Sequence, residues 1–146
     1  MLLNQNEPPA NQPIIIIGAG PVGMATGAML ARHGLNVWVV EKNDRPTAHS
    51  KAIGVHARTL EGMNALGLTD ELIAAGRPLS DVRLWEKGKI LFDTSFTAVP
   101  SRYSFVLALP QRDTERLLGA ELRRAGGRVL WNTTLESIEE DRKSVV

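Results

Sequence analysis

Gly18-Ala19-Gly20-Pro21-Val22-Gly23, with Glu41 standing 23 positions after Gly18, has the residue types and spacing to hold a dinucleotide. Gly18 permits a tight exit turn from a strand, Gly20 lets the backbone approach a pyrophosphate, and Gly23 lets a helix sit close on that strand. Pro21 suits the first helical turn, where its missing N–H would have no intrahelical partner. With Val22 and Gly23 it opens a helix whose free N–H groups and positive end face an anion. Glu41 is placed to accept the hydroxyls of a ribose, with Lys42 beside it. Glycine-rich turns also occur in folds that bind nothing, and an acid at a strand end is often only solvated. The weight comes from having strand, turn, helix and acid together.

The flanking elements supply that context. Ile14 to Ile17 form a continuous β-branched run, expected as a strand buried on both faces. Val22 to His33 carry the small residues Ala25, Gly27, Ala28 and Ala31, a helix made for close contact with a sheet and stopped by Gly34. Val37 to Val40 then return as a second strand leading into Glu41. An acid at this position favours an unphosphorylated ribose, as in FAD or NAD, over the 2′-phosphate of NADP.

Further along, residues 42–55 read as a long connection with a turn at Asn43-Asp44-Arg45-Pro46. Ala57, Leu60, Met63 and Leu66 recur at helical spacing up to Gly67. Thr69 or Asp70 is expected to cap a second short helix ending near Gly76. Val82 to Glu86 and Lys89 to Asp93 flank Lys87-Gly88, a hairpin signal. Tyr103 to Leu109 read as a strand and Asp113 as the N-cap of a helix carrying Leu117, Leu118, Leu122 and Ala125 on one face, with Glu115 in its first turn. Arg128 to Trp131 and Thr134 to Glu140 are expected as two more strands, the former parallel to the first.

Composition narrows the function classes. A net charge of +1 over 146 residues offers no electrostatic footprint for nucleic acid or an anionic membrane. With no cysteine, disulfides, thiol redox chemistry and thiolate metal sites are all removed, and His33, His49 and His56 lack ligand spacing, so no metal site is expected. Met1 to Gln12 are polar, with no basic start for a secretory signal, and the apolar run Pro13 to Ile17 is far too short to span a bilayer. A flexible tail and a cytoplasmic location are the default readings.

Three segments together resemble the FAD-dependent aromatic hydroxylases, single-component flavoprotein monooxygenases related to para-hydroxybenzoate hydroxylase. They are the glycine turn with Glu41-Lys42; Lys51-Ala52-Ile53-Gly54-Val55-His56-Ala57-Arg58-Thr59-Leu60-Glu61; and Leu109-Pro110-Gln111-Arg112-Asp113-Thr114-Glu115-Arg116-Leu117-Leu118. Residues 51–61 are similar to the family's RA(x5)RTLE stretch, and residues 109–118 to its LPQ-x-x-x-E-x-x-L. Lys51 stands where the family more often has arginine, keeping the charge while losing the guanidinium fork.

The resemblance implies an α/β fold: a Rossmann-like FAD-binding βαβ domain with the start of a second, substrate-domain β-sheet, as a fragment of a larger fold. It divides the chain into a tail (1–12), the FAD-binding βαβ unit with its following helices (13–80), a first excursion into the substrate sheet (81–109), and an incomplete return to the FAD-binding domain (110–146). The implied cofactor-binding residues are Gly18, Gly20, Pro21, Val22, Gly23, Glu41, Lys42, Lys51, Arg58 and Gln111, the last toward the ribityl chain or the flavin ring region. The implied cofactors are FAD, with NADPH or NADH as co-substrate. The implied reaction hydroxylates a phenolic or polycyclic aromatic through a flavin hydroperoxide, with the cofactor carrying the chemistry. No catalytic acid or base is assigned. The partners are a small aromatic molecule and O2, with a homodimer allowed and neither nucleic acid nor membrane required. The family's Asp-Gly and Gly-Asp motifs are expected beyond Val146. An NAD-dependent dehydrogenase and a non-catalytic nucleotide-binding remnant are the alternatives. The dehydrogenase would share the βαβ unit but leave residues 51–61 and 109–118 unexplained.

Overall fold

β2 (Val37–Val40) is the middle strand of a three-stranded parallel sheet, between β1 (Ile14–Ile17) and β8 (Arg128–Leu130). Ile14 pairs with Val37 and Ile17 with Val40 on one side, and Trp38 pairs with Arg128 and Val40 with Leu130 on the other. The structure is a computed structural model and describes residues 12–46 and 54–138. Val37 and Val39 are fully buried, as a central strand demands. β1 corrects the expectation of burial on both faces, since Ile14, Ile15 and Ile17 are exposed, Ile17 by 58%. A β-branched run dictates an extended strand, but burial depends on what covers it. Among the described strands only β2 pairs with β1, and α1 covers one face by packing on Ile16. Ile15 and Ile17, pointing to the opposite face, are left open to solvent.

α1 (Pro21–Arg32) crosses from β1 to β2 and packs along α4 (Gln111–Arg124). Gly27 makes the close approach possible. A Cβ there would lie 3.0 Å from Val39 and 3.2 Å from Leu122. Met24, Ala28, Ala31, Leu118 and Leu122 fill the seam, where a fully buried leucine contributes about 1.5–3 kcal/mol. At its edge the buried Glu121 accepts from Arg32 at 3.3 Å and from Arg124 Nε at 2.7 Å, while Arg32 also donates to the Leu66 carbonyl at 2.9 Å. α4 starts earlier than the Asp113 cap implies. Pro110 is its N-cap, and the Pro110 carbonyl accepts the Asp113 N–H at 2.9 Å, which puts Asp113 inside the first turn.

β3 (Gly54–Val55), β4 (Arg77–Leu79) and β7 (Val106–Ala108) form a second, antiparallel sheet in the order β3-β7-β4, with α2 (Ala57–Asn64) and α3 (Thr69–Ala75) between its first two strands. Neither Thr69 nor Asp70 caps α3. Leu68 is the N-cap residue, and buried Thr69 instead donates its hydroxyl to the Leu60 carbonyl at 2.9 Å, which ties the helices together. β5 (Asp81–Glu86) and β6 (Lys89–Ser95) form the expected hairpin, with Lys87 and Gly88 at φ of 49° and 76° in its turn. No strand forms over residues 134–138, and 139–140 lie outside the described residues. The run after β8 leaves the sheet at Asn132, whose φ is 53°. Among the described residues no helix is long and apolar enough to cross a membrane.

Candidate functional site

The carboxyl ends of β1, β2 and β8 all open on one crevice, the position where parallel α/β sheets bind ligands. Gly18 leaves β1 with φ of 98°, a left-handed conformation that suits glycine, and donates to the Val40 carbonyl at 2.8 Å. A Cβ on Gly23 would lie 2.0 Å from the Gly18 carbonyl oxygen, so glycine is required where helix meets turn. Gly20 is the opposite case: a Cβ there would meet nothing within 4 Å. That space leaves the backbone open to close approach by a ligand.

Gly20 is the extended N-cap of α1, and its carbonyl accepts the first helical bond, from Met24 N–H at 2.9 Å. The N–H groups of Val22 and Gly23 precede that bond and have no acceptor within the helix. The helix dipole adds partial positive charge at the same end. Val22 therefore serves through its backbone; its side chain points outward and the residue is 80% exposed.

Glu41 sits directly after β2. Its Oε2 accepts the Ala19 N–H at 3.0 Å, and its Oε1 accepts the Asn43 backbone N–H at 3.1 Å and the Asn43 side-chain amide. Burial works to raise this carboxyl. The hydrogen bonds from Ala19 and Asn43, with the charge of Lys42, outweigh burial and hold the group below its ordinary value.

Three clefts adjoin through shared residues. One of about 150 Å³ lies between Gly20, Glu41, Asn43, Arg45, Gln111 and Trp131. A second of about 360 Å³, on the other side of Glu41, is lined by Gly18, Lys42 and residues 133–135. A third, apolar and about 170 Å³, lies between Pro21, Val55, Met63, Leu109 and Gln111. Glu41 joins the first two and Gln111 joins the first to the third. Their order forms an extended trail past the α1 N-terminus, with the shape requirement of an extended dinucleotide. Thr114, at the wall of the apolar cleft, has a buried hydroxyl without a hydrogen-bond partner among the described residues.

Gln111 is oriented by its neighbour one helical turn on, donating Nε2–H to Glu115 Oε1 at 2.8 Å. The structure brings Gly18, Gly20, Pro21, Glu41, Lys42 and Gln111 to the trail, while Gly23 lines none of its clefts and serves the contact of helix with turn. It does not bring Arg58 there. That side chain is 95% exposed on α2 and pairs with Glu61 at 3.3 Å. Lys51 lies outside the described residues.

Sequence reasoning missed Ala19, Asn43, Trp131 and the residues following it. Trp131 and Thr133 were findable, since residues just past a parallel strand line the ligand crevice as a rule. Asn43 gave no signal beyond its place in a turn.

Comparison with known proteins decides the family. Residues 11–146 match the FAD binding domain family. The chain belongs to it. This FAD binding domain is 38% identical over 131 residues to the 6-methylpretetramide 4-monooxygenase of Streptomyces rimosus, covering 88% of this chain and 24% of that protein. It is 30% identical over 135 residues to the rifampicin monooxygenase of Rhodococcus hoagii, covering 90% of this chain and 27% of that one. The solved aklavinone-11 hydroxylase, in complex with FAD and aklavinone, superposes with a TM-score of 0.79 at 28% identity, over 94% of this chain and 29% of that chain. The FAD binding domain thus spans about a quarter of the length of the curated relatives it matches. These relatives bear out the α/β reading and the resemblance to flavin-dependent aromatic hydroxylases.

Proposed function

We propose that this chain is the part of a flavin-dependent monooxygenase that holds the adenosine diphosphate and ribityl portions of FAD. The parent protein would hydroxylate a phenolic or polycyclic aromatic molecule, with NADPH or NADH as reductant and O2 as oxygen donor. The observation that carries the reading is the trail of clefts joined by Glu41 and Gln111, with the α1 N–H groups between them. Glu41 would hold the adenosine ribose, the Val22 and Gly23 amides the diphosphate, and Gln111 the ribityl chain. Lys42 flanks the adenosine end, and Lys51 is assigned as a cation near the diphosphate on the family resemblance alone. The open space at Gly20 and the amides without an intrahelical acceptor fit such a group.

Bound flavin supplies the electron-transfer and oxygen chemistry. The residues of this chain bind and orient it. The apolar walls at Val55, Met63 and Leu109 keep water from the end beyond Gln111. The monooxygenase names of the relatives favour this reading over a nicotinamide dehydrogenase, which would share only the βαβ unit.

Titration of the full chain with FAD, followed by flavin absorbance and fluorescence, tests the proposal. Saturable FAD binding that is lost in Gly20→Val is expected. Failure to take up FAD, or preference for NAD over FAD, would overturn it.

A further inference from the structure

We propose that Asn43 is a positioning residue that saturates one oxygen of Glu41, so that the carboxylate grips a single hydroxyl of the ligand's ribose through Oε2. The inference rests on the flavin reading and changes what that reading asks of Glu41, which would otherwise take both hydroxyls.

A carboxylate offers about four acceptor directions, two on each oxygen. Oε1 uses both of its own on Asn43, one for the backbone N–H at 3.1 Å and one for the side-chain amide. Oε2 uses one on the Ala19 N–H at 3.0 Å. Among the described residues one direction remains, on the oxygen nearer the glycine turn, and the two ribose hydroxyls cannot share it as donors. Asn43 is itself held, because its carbonyl accepts the Asn132 N–H at 2.9 Å and thereby fastens the β2 exit to the β8 exit. The Glu41 rotamer is set before any ligand arrives, from Ala19 on one side and Asn43 on the other. The charged groups around it are Lys42 beside it, Arg45 and Glu115 in the same cleft, and the positive end of α1. None of these replaces Asn43, which donates a backbone and a side-chain hydrogen to the same oxygen.

Binding of ADP, 2′-deoxy-ADP and 3′-deoxy-ADP to the full chain tests this, by calorimetry across pH, with the Asn43→Ala and Glu41→Gln variants alongside. In the unmodified protein one deoxy analogue should bind about tenfold more weakly than ADP and the other within about twofold of it, the tenfold step being that of one lost charge-assisted hydrogen bond. Asn43→Ala keeps the backbone donor and opens one direction on Oε1. The gap between the two analogues should then narrow, and the loss of ADP binding on acidification should move to higher pH because the ionised carboxylate has one donor fewer. A role for Asn43 in folding alone would weaken all three ligands equally at every pH.

Equal tenfold losses for both analogues in the unmodified chain would overturn the assignment. So would an Asn43→Ala variant whose analogue gap and acid limb stay in place. Absence of ADP and FAD binding by the unmodified chain, or Glu41→Gln binding ADP as well as it does, would overturn the flavin reading itself and this inference with it.

Discussion

The Ala19 N–H donates to Glu41 Oε2 over 3.0 Å, joining the turn after β1 to the end of β2 across 22 positions of sequence. The carboxylate that faces the ligand crevice therefore also braces the turn that presents the helix amides. Gly18 N–H to the Val40 carbonyl, at 2.8 Å, makes the neighbouring tie. Under the proposed function, cofactor recognition and local order share one side chain.

Replacing Glu41 with alanine removes the proposed charge-assisted bond to the ribose and the brace on Ala19 together. FAD affinity should fall about ten- to a hundredfold, the equivalent of roughly 1.5–3 kcal/mol. Fluorescence titration of the variant measures this, and an unchanged dissociation constant would remove Glu41 from the site.

The two glycines of the turn should fail in different ways. A Cβ at Gly20 meets open space, so Gly20→Val should leave thermal stability within about 0.5 kcal/mol while abolishing FAD uptake. A Cβ at Gly23 would lie 2.0 Å from the Gly18 carbonyl oxygen, so Gly23→Ala should lower the melting temperature as well. Denaturation with and without FAD separates the two effects. Equal destabilisation by both changes would contradict the geometry.

Acid should weaken the fold through Glu41. Its carboxyl is held below the ordinary value of 4.5, so its contribution to stability is complete above that pH and is lost as pH falls through the lower, folded value. Asp81, lowered from 3.8 by bonds from the Ser80 and Ser95 hydroxyls, loses its contribution only at lower pH. Glu41→Gln should therefore flatten part, not all, of the decline in melting temperature below about pH 4.5. An identical pH profile for the variant would show that the carboxylate is not differentially stabilised.

On the far side of α1, Arg32 links Glu121 and the Leu66 carbonyl. Glu121 is buried, whereas the Arg32 side chain is 43% exposed, so the cost of separating them falls mainly on the acid. Arg32→Met should destabilise the chain by about 1–2 kcal/mol after allowing for solvent screening and for the remaining Arg124 contact. Urea unfolding gives the number, and a neutral result would mean that Arg124 alone satisfies the acid.

The glycine turn, its helix and the acid after β2 were legible because each obeys a short-range rule. Positive φ at Gly18 and the proline at the first helical position are conditions on adjacent residues. The Lys87-Gly88 hairpin was legible for the same reason. The start of α4 was misplaced because two adjacent signals compete, an aspartate suited to capping and a proline that begins the helix sooner; the proline prevails by giving its carbonyl to Asp113. The short strands β3 and β4 were invisible, since two or three residues carry no periodicity, and they exist only through pairing with β7.

Local chemistry along the chain thus determined the βαβ unit, the helix N-terminus at the crevice and the acid that follows β2. Only the tertiary structure decided that Ile14, Ile15 and Ile17 stay exposed, that Arg58 turns away from the crevice, and that Asn43 occupies half of Glu41. Turn and helix geometry are set by neighbours one to four positions apart. Burial, by contrast, depends on which distant segment arrives on each face. Carboxylate pairing adds a condition that residue type cannot encode: which donors the folded backbone leaves pointing at it.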